Sequence, residues 1–208
     1  MKYFWVSPVR IGAKRVRAAM LLTFVFSMIG CAAKRVVLVP APNATLAAQP
    51  NSAQDSSQGV SLLVQANAWN EYPRTLDREL IPIKVTLQND SGRDLAIRYE
   101  DFVLIGANNR RFGDIRPDQI KGYDYEHLEP YWAFSDAYYA EVRLPTEAML
   151  RQAISEGVVA NGGEISGFLY FPRPSQIPQA ISFSAALVDA HTKQKFGAIV
   201  VPLVVKSL

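Results

Sequence analysis

The chain has 208 residues, of which 49% are hydrophobic and 20% charged, which suits one globular domain with extra segments and is too polar for a polytopic membrane protein. Its formal charge of +3 suggests an acidic partner, but residues 1–30 contain five basic side chains and no acidic one. Without this segment the chain has 17 basic and 19 acidic residues, a net charge of −2, which argues against nucleic-acid binding.

The first thirty residues have the pattern of a signal peptide. Residues 1–17 are basic, and residues 18–29, AAMLLTFVFSMI, form an uncharged, mostly apolar stretch. This length suits the apolar region of a leader and falls short of the ~20 residues that a helix needs to cross a bilayer. Cys31, the only cysteine of the chain, follows directly.

The sequence MIGC at residues 28–31 resembles the lipobox of bacterial lipoproteins. The resemblance implies that Cys31 carries a diacylglycerol, that the leader is cut before it, and that the new amino terminus is acylated. Each buried methylene contributes ~0.8 kcal/mol, so two or three acyl chains anchor a protein stably where one does not. Ala32, in place of Asp, implies sorting to the outer membrane. The alternatives are a secretory leader with an incidental cysteine and an uncleaved single-span anchor.

Residues 31–59 are predicted to be the lipidated cysteine and a flexible tether. The stretch APNATLAAQPNSAQDSSQG is rich in Ala, Pro, Asn, Gln and Ser, and this composition cannot bury enough apolar surface to fold alone. As a flexible chain, the tether would span roughly 30 Å. RVVLVP at residues 35–40 could still pair as an edge strand.

From Val60 onward the pattern is that of β-structure. In residues 81–88, IPIKVTLQ, apolar and polar residues alternate, as in a half-buried antiparallel strand. NDSGRD at 89–94 predicts a turn with Gly92 in the left-handed conformation. The next apolar run changes phase near Glu100 and Asp101, which predicts a bulge. GANNRR at 106–111 predicts another tight reversal.

Three more strands are predicted at residues 164–172, 181–189 and 196–205. Pro82 and Pro202 each lack the amide donor of a strand ladder, which predicts edge positions or bulges. Residues 145–157, PTEAMLRQAISEG, have apolar residues at helical spacing and predict a short helix packed over one end of the sheets.

Residues 60–208 are therefore predicted to form a mainly β domain, an immunoglobulin-like antiparallel β-sandwich with one short inserted helix. A closed β-barrel is the alternative.

The most unusual stretch is aromatic and acidic and runs from residue 122 to residue 142. Flat rings beside carboxylates suit sugar rings or peptide ligands. The alternative is that the rings plug an open end of the sandwich. The candidate ligand-binding residues are Tyr123, Tyr125, Tyr131, Trp132, Tyr138 and Tyr139.

No catalytic residue, metal site or cofactor is predicted. His127 and His191 lack the spacing of a zinc site, and His191 falls in a predicted exposed turn. Glu126 and Glu129 could serve glycoside hydrolysis, but paired acids are common in polar loops. Four acids are spaced unlike any known calcium loop: Asp114, Asp118, Asp124 and Glu126.

We therefore expect a non-enzymatic envelope lipoprotein, held in the outer membrane by acylated Cys31 and facing the periplasm. Its expected partners are membrane lipid and another envelope protein. The alternative is a module that binds or hydrolyses cell-wall peptidoglycan through residues 122–142.

Overall fold

The computed structural model describes residues 36–128, 138–174 and 177–207. In these ranges the chain forms thirteen strands and one short α-helix, α1 (Glu147–Gln152). The strands are β1 (Val36–Pro40), β2 (Ser52–Ser57), β3 (Val60–Ala66), β4 (Leu80–Asn89), β5 (Leu95–Ile97), β6 (Phe102–Gly106), β7 (Arg111–Gly113), β8 (Gly122–Leu128), β9 (Tyr138–Leu144), β10 (Gly157–Val159), β11 (Glu164–Pro172), β12 (Ala180–Asp189) and β13 (Lys195–Ser207).

Two antiparallel sheets form a β-sandwich, as predicted, and they do not close into a barrel. One sheet has the order β11-β4-β3-β2. In the other sheet, β13 lies between β1 and β12. The second edge of β12 pairs with both β5 and β6; β10 then pairs with β5, and β7 pairs with β6. The chain crosses from one of these sheets to the other after β1, β4, β10 and β11.

The alternating residues of the central strands fill the core between the sheets. On β12 every second residue from Ile181 to Leu187 is buried, and on β4 the same holds from Ile81 to Leu87. Because successive side chains of a strand point to opposite faces, period two places one set in the core. Both predicted strand patterns are confirmed.

Pro82 and Pro202 lie where one neighbouring strand has ended. β3 pairs with β4 only as far as Ile83, so at Pro82 only β11 flanks β4. β1 likewise pairs with β13 only from Leu203 onward, so Pro202 faces only β12. Each proline therefore sits at a local edge, where no ladder bond needs its missing N–H.

The predicted bulge at Glu100 and Asp101 is a 3₁₀ turn instead, Tyr99–Asp101, between β5 and β6. The Arg98 guanidinium donates to both carboxylate oxygens of Asp101, with Nε–Oδ2 and Nη2–Oδ1 distances of 2.7 and 2.8 Å. This local ion pair stabilises a full turn, which a one-residue bulge could not accommodate. The reversals predicted at Gly92 and after Gly106 are present, with Gly92 at φ +77°.

The predicted helix is shorter than its apolar pattern. The Thr146 hydroxyl accepts a hydrogen bond from the Met149 N–H and caps α1. At Ala153 the backbone becomes extended and the chain reaches β11. There the Ile154 N–H donates a hydrogen bond to the Phe168 carbonyl at 3.0 Å. Pairing with the sheet therefore ends the helix before Gly157. Within the described ranges, no helix is both long and apolar enough to span a bilayer.

The sandwich begins earlier than the predicted boundary at Val60. β1 pairs with β13 from Val36 to Pro40, and β2 pairs with β3 along its whole length. The stray edge strand expected at RVVLVP is thus present, and part of the predicted tether, 31–59, belongs to the sheets. β2, SAQDSS, is polar because it is an edge strand whose backbone pairing does not need an apolar face.

We expect Gly167→Ala to destabilise the domain by about 1–3 kcal/mol, because overpacking a filled core has that cost. A Cβ at Gly167 would lie 2.5 Å from both the N and Cα atoms of Ile154, where the chain after α1 crosses β11. Urea unfolding followed by circular dichroism measures the change. Gly113→Ala is the control, because its Cβ would meet nothing within 4 Å. Equal midpoints for the two variants would contradict this packing.

Candidate functional site at the aromatic hairpin

The aromatic segment contains a two-stranded hairpin that forms a sheet of its own. β8 and β9 pair antiparallel from Gly122↔Leu144 to Leu128↔Tyr138. Tyr138 and Tyr139 thus belong to the backbone ladder of β9. Residues 129–137, with Tyr131 and Trp132, lie outside the described residues, as does Cys31.

The base of the hairpin is held by a buried carboxylate. Asp124 is 1% exposed. Its Oδ2 accepts a hydrogen bond from the Thr75 hydroxyl at 2.8 Å, and its Oδ1 accepts one from the Tyr125 N–H at 2.8 Å. Asp124 therefore points inward, where the Thr75 hydroxyl supplies the donor that a buried carboxyl oxygen requires.

A second apolar cluster, on the outer face of β11, supports the hairpin and α1. Phe168 and Tyr170 lie on this face, and the Trp69 ring meets the Phe168 ring edge-on with centroids 5.1 Å apart. The Tyr170 hydroxyl donates to the Met149 carbonyl at 3.0 Å, which ties α1 to the strand. The other buried members of the cluster are Leu76, Leu80, Ile120, Leu144 and Met149.

Tyr123 and Tyr125 present their rings to solvent. They are 49% and 53% exposed, so these two rings do not plug the sandwich. Their cross-strand partners in the ladder are Arg143 and Glu141. Directly opposite residues have Cβ atoms about 5 Å apart, so each ring has a charged neighbour on the same face of the hairpin.

A shallow groove runs along the base of this hairpin beside Tyr123. Its lining includes Asp118, Lys121, Tyr123, Arg143 and Pro145. An aromatic face between two cations suits a ligand that combines a flat or apolar surface with carboxylates. The ligands suited to this groove are thus acidic sugars and acidic peptides more than neutral ones.

A second groove adjoins the first at Asp118, and Arg116 organises it. The Arg116 guanidinium lies 3.0 Å from a Glu156 carboxylate oxygen and 3.5 Å from one of Asp118. It also stands 5.7 Å from the centroid of the Tyr99 ring. The other Glu156 oxygen accepts the Tyr99 N–H at 3.0 Å, and the Tyr99 hydroxyl donates to the Ile154 carbonyl at 2.6 Å. Burial raises the pKa of Tyr99 to about 12.

Asp114 lies close to this cluster, in surroundings that disfavour its charged form. Burial raises the pKa of its carboxyl to about 8, and the Glu156 charge adds to the rise, while its own backbone N–H and Arg116 oppose it. One of its oxygens, Oδ2, is buried without a hydrogen-bond partner. Asp114 is not among the residues that line this groove.

The described residues contain no group of three or more His, Cys, Asp or Glu side chains placed to hold a metal ion. His191 lies in the exposed turn after β12, as predicted, with its Nε2 3.0 Å from Asp94 Oδ2. Glu126 and His127 fall in the backbone of β8. Glu129 lies outside the described residues.

Sequence reasoning did not predict the structural roles of Thr75 and Asp114. Thr75 lies in a polar loop with no local pattern and meets Asp124 only through the fold. Asp114 follows a short exposed strand, and nothing near it in the chain signals burial. The one available signal was the alternation of side chains along β8, which places Asp124 on one face and Tyr123 and Tyr125 on the other.

No protein-family model matches the chain, and no curated protein matches it in sequence. Among solved structures, the chain is similar to the 1.5 Å crystal structure of MPT63, a secreted protein from Mycobacterium tuberculosis. The similarity has a TM-score of 0.31 and 12% sequence identity, and it covers 63% of this chain and 82% of that one. A likeness of this size carries no functional argument, so function is argued from the residues alone.

We expect Thr75→Val to loosen the hairpin. The change keeps the shape of the side chain but removes the donor to Asp124, and an unsatisfied buried acceptor costs about 1–3 kcal/mol. Hydrogen exchange of the β8 and β9 amides should therefore accelerate. Thr86→Val is the control, because the Thr86 hydroxyl bonds Ser166 on the solvent side of the sheet. If β8 and β9 exchange as slowly as in the native protein, Asp124 does not depend on Thr75.

We expect Asp114 to make the domain less stable as pH rises. Its carboxyl has a pKa near 4 when unfolded and about 8 when folded, so the fold favours the protonated form. Stability from this group is complete below pH ~4 and is lost as pH rises through ~8. Asp114→Asn should flatten this slope and leave the variant more stable than the native protein at pH 8.

Urea unfolding across that pH range measures the effect of Asp114. Asp118→Asn is the matched control, because Asp118 is exposed and paired with Arg116. A slope that persists in Asp114→Asn would show that another group is responsible.

Proposed function

We propose that this protein is a non-enzymatic, lipid-anchored component of a bacterial envelope, whose β-sandwich binds another envelope component through the aromatic hairpin. Acylated Cys31 holds it in the outer membrane, facing the periplasm. The observation that carries the binding role is the exposure of Tyr123 and Tyr125 on a hairpin that is anchored at its base by buried Asp124.

The hairpin has the physical properties of a binding element. Tyrosine rings provide a large contact area and lose little conformational entropy on binding, so they are enriched at interfaces. The buried Thr75–Asp124 pair fixes the base of the hairpin before a partner arrives, which reduces the entropic cost of association. Arg143 and Glu141 opposite the two rings supply charges for orientation.

A second candidate function is binding of peptidoglycan through the same hairpin. The groove beside Tyr123, with Lys121 and Arg143 in its lining, favours it. Peptidoglycan combines sugar rings, which stack on aromatic faces, with the carboxylates of its stem peptides, which pair with basic side chains. Hydrolysis of that polymer is a weaker alternative, because it requires two carboxyl groups about 5–9 Å apart across the cleaved bond.

Anchoring is tested with Cys31→Ser. We expect the native protein to fractionate with membranes and mass spectrometry to find an acylated cysteine at its mature amino terminus. Cys31→Ser should lose both properties, because no thiol remains to accept the lipid. Ser27→Ala, in the same leader, should keep both. An intact Met1 terminus, or membrane fractionation of Cys31→Ser equal to that of the native protein, would contradict the lipid anchor.

The two binding candidates are separated by a pull-down on purified, insoluble peptidoglycan. If the second candidate is correct, the protein is retained, and Tyr123→Ser with Tyr125→Ser reduces retention by at least tenfold, because each lost aromatic contact costs ~1 kcal/mol. Tyr72→Ser is the control, since Tyr72 is also half exposed but lies outside the hairpin. Absence of retention would remove peptidoglycan and leave an envelope protein as the partner.

A further inference from the structure

The link between Cys31 and the sandwich is short. β1 begins at Val36, five residues after Cys31, where the sequence alone suggested a tether up to residue 59. Five extended residues cover at most ~18 Å. A folded domain of this size has a diameter of ~40 Å, so an acylated Cys31 would keep the sandwich within half its own width of the bilayer.

The strand register identifies the end of the sandwich at which this link emerges. β1 and β13 are antiparallel, and Val37 pairs with Lys206. β12 starts at the same end, because Ala180 pairs with Val204. The turn between β6 and β7 is there too, since Gly106 pairs with Ile181. We call this the β1 end.

The β1 end is basic. Arg74 and Arg173 line a narrow cavity together with Val37, and Arg111 lies opposite Ile105 at the edge of β6. In these loops and strand ends six basic residues stand against three acidic ones, Glu71, Asp77 and Glu79; the basic residues are Arg74, Arg78, Arg110, Arg111, Arg173 and Lys206. The hairpin, which the Thr75–Asp124 bond holds against the same loops, adds Lys121 and Arg143 against Asp124, Glu126 and Glu141, so the formal charge of this end is +2. Lys34 and Arg35 add two positive charges in the link itself.

The opposite end of the sandwich has a slightly negative formal charge. Its turns carry four acidic residues, Asp90, Asp94, Glu164 and Asp189. Three basic residues lie among them, Arg93, Lys193 and Lys195, which leaves a formal charge of −1. The folded part is therefore polarised along its strands, although its overall charge is close to zero.

We infer that the β1 end docks on anionic phospholipid headgroups of the membrane that holds the anchor. The inference rests on the proposed acylation of Cys31, which brings the basic end and the bilayer together. Each lysine or arginine at an anionic surface favours the docked state about fivefold. The short link and the charge pattern select the same end, so the domain lies on its own membrane and is not suspended from it.

Energy transfer to the bilayer tests this orientation in the full acylated chain, reconstituted into vesicles with an acceptor dye on the headgroups. Acylated Cys31 no longer reacts with thiol dyes, so a donor can be placed at a new cysteine. Gln179→Cys labels the β1 end and Gln194→Cys the opposite end; both positions are exposed, neutral and next to a strand. In vesicles of equal parts phosphatidylcholine and phosphatidylglycerol, we expect strong transfer from position 179 and weak transfer from position 194.

Charge removal tests the contact itself. Arg111→Ser with Lys206→Ser should lower the docked-to-undocked ratio about 25-fold and reduce the difference between the two donor positions. Lys193→Ser with Lys195→Ser removes the same charge from the opposite end and should leave the difference intact. In vesicles of phosphatidylcholine alone, we expect the native protein and both variants to show the same reduced transfer difference as the Arg111 and Lys206 variant shows in the mixed vesicles.

Flotation of the vesicles is measured first and separates the two proposals. A chain that does not float with the vesicles is not anchored, which overturns the proposed acylation and the docking with it. A chain that floats but shows equal transfer from both positions is anchored without docking. The short link alone already brings position 179 nearer the bilayer than position 194, so headgroup docking is measured by the increase in the transfer difference. A difference as large in phosphatidylcholine alone, or in the Arg111 and Lys206 variant, as in the native protein on the mixed vesicles overturns the role of anionic headgroups.

Discussion

Four consecutive large side chains on β11, from Phe168 to Phe171, are all buried, and the rest of the molecule is arranged around them. Leu169 and Phe171 face the core between the sheets, where the Phe171 ring meets the Phe183 ring with centroids 6.1 Å apart. Phe168 and Tyr170 face outward and would be exposed in a plain two-layer sandwich. This strand therefore requires a third layer, and α1 and the base of the hairpin supply it.

The third layer also explains why the hairpin is a suitable recognition element. Its base shares the apolar cluster of β11, so Asp124 is removed from water and must bond to Thr75. The exposed rings of Tyr123 and Tyr125 then stand on the opposite side of a strand whose inner side is fixed. Because alternate residues of β8 face opposite sides, the burial of Asp124 leaves Tyr123 and Tyr125 on the exposed side.

The parts of the fold that sequence patterns predicted are those whose side chains alternate against a common core. β4 and β12 belong to this group. The turn at Gly92 was predicted from its own residues, since glycine readily adopts a positive φ. The parts that patterns missed depend on partners distant in the chain. β2 is polar and exists because its backbone pairs with β3, and the end of α1 depends on Phe168. The alternation in β8 places Tyr123 and Tyr125 on one face, but it does not say that this face is the exposed one, because aromatic residues are common both in cores and at interfaces.

The pairing of β1 with β13 has a consequence for the order in which the molecule forms. Val36 and Ser207 are neighbours in the ladder although ~170 residues separate them, so β1 cannot pair until β13 is present. A chain that emerges amino end first exposes an unpaired, apolar β1 until its carboxyl end is free. The sheet thus closes only when β13 is available, and a chain truncated before β13 leaves β1 and one edge of β12 unpaired, which favours aggregation.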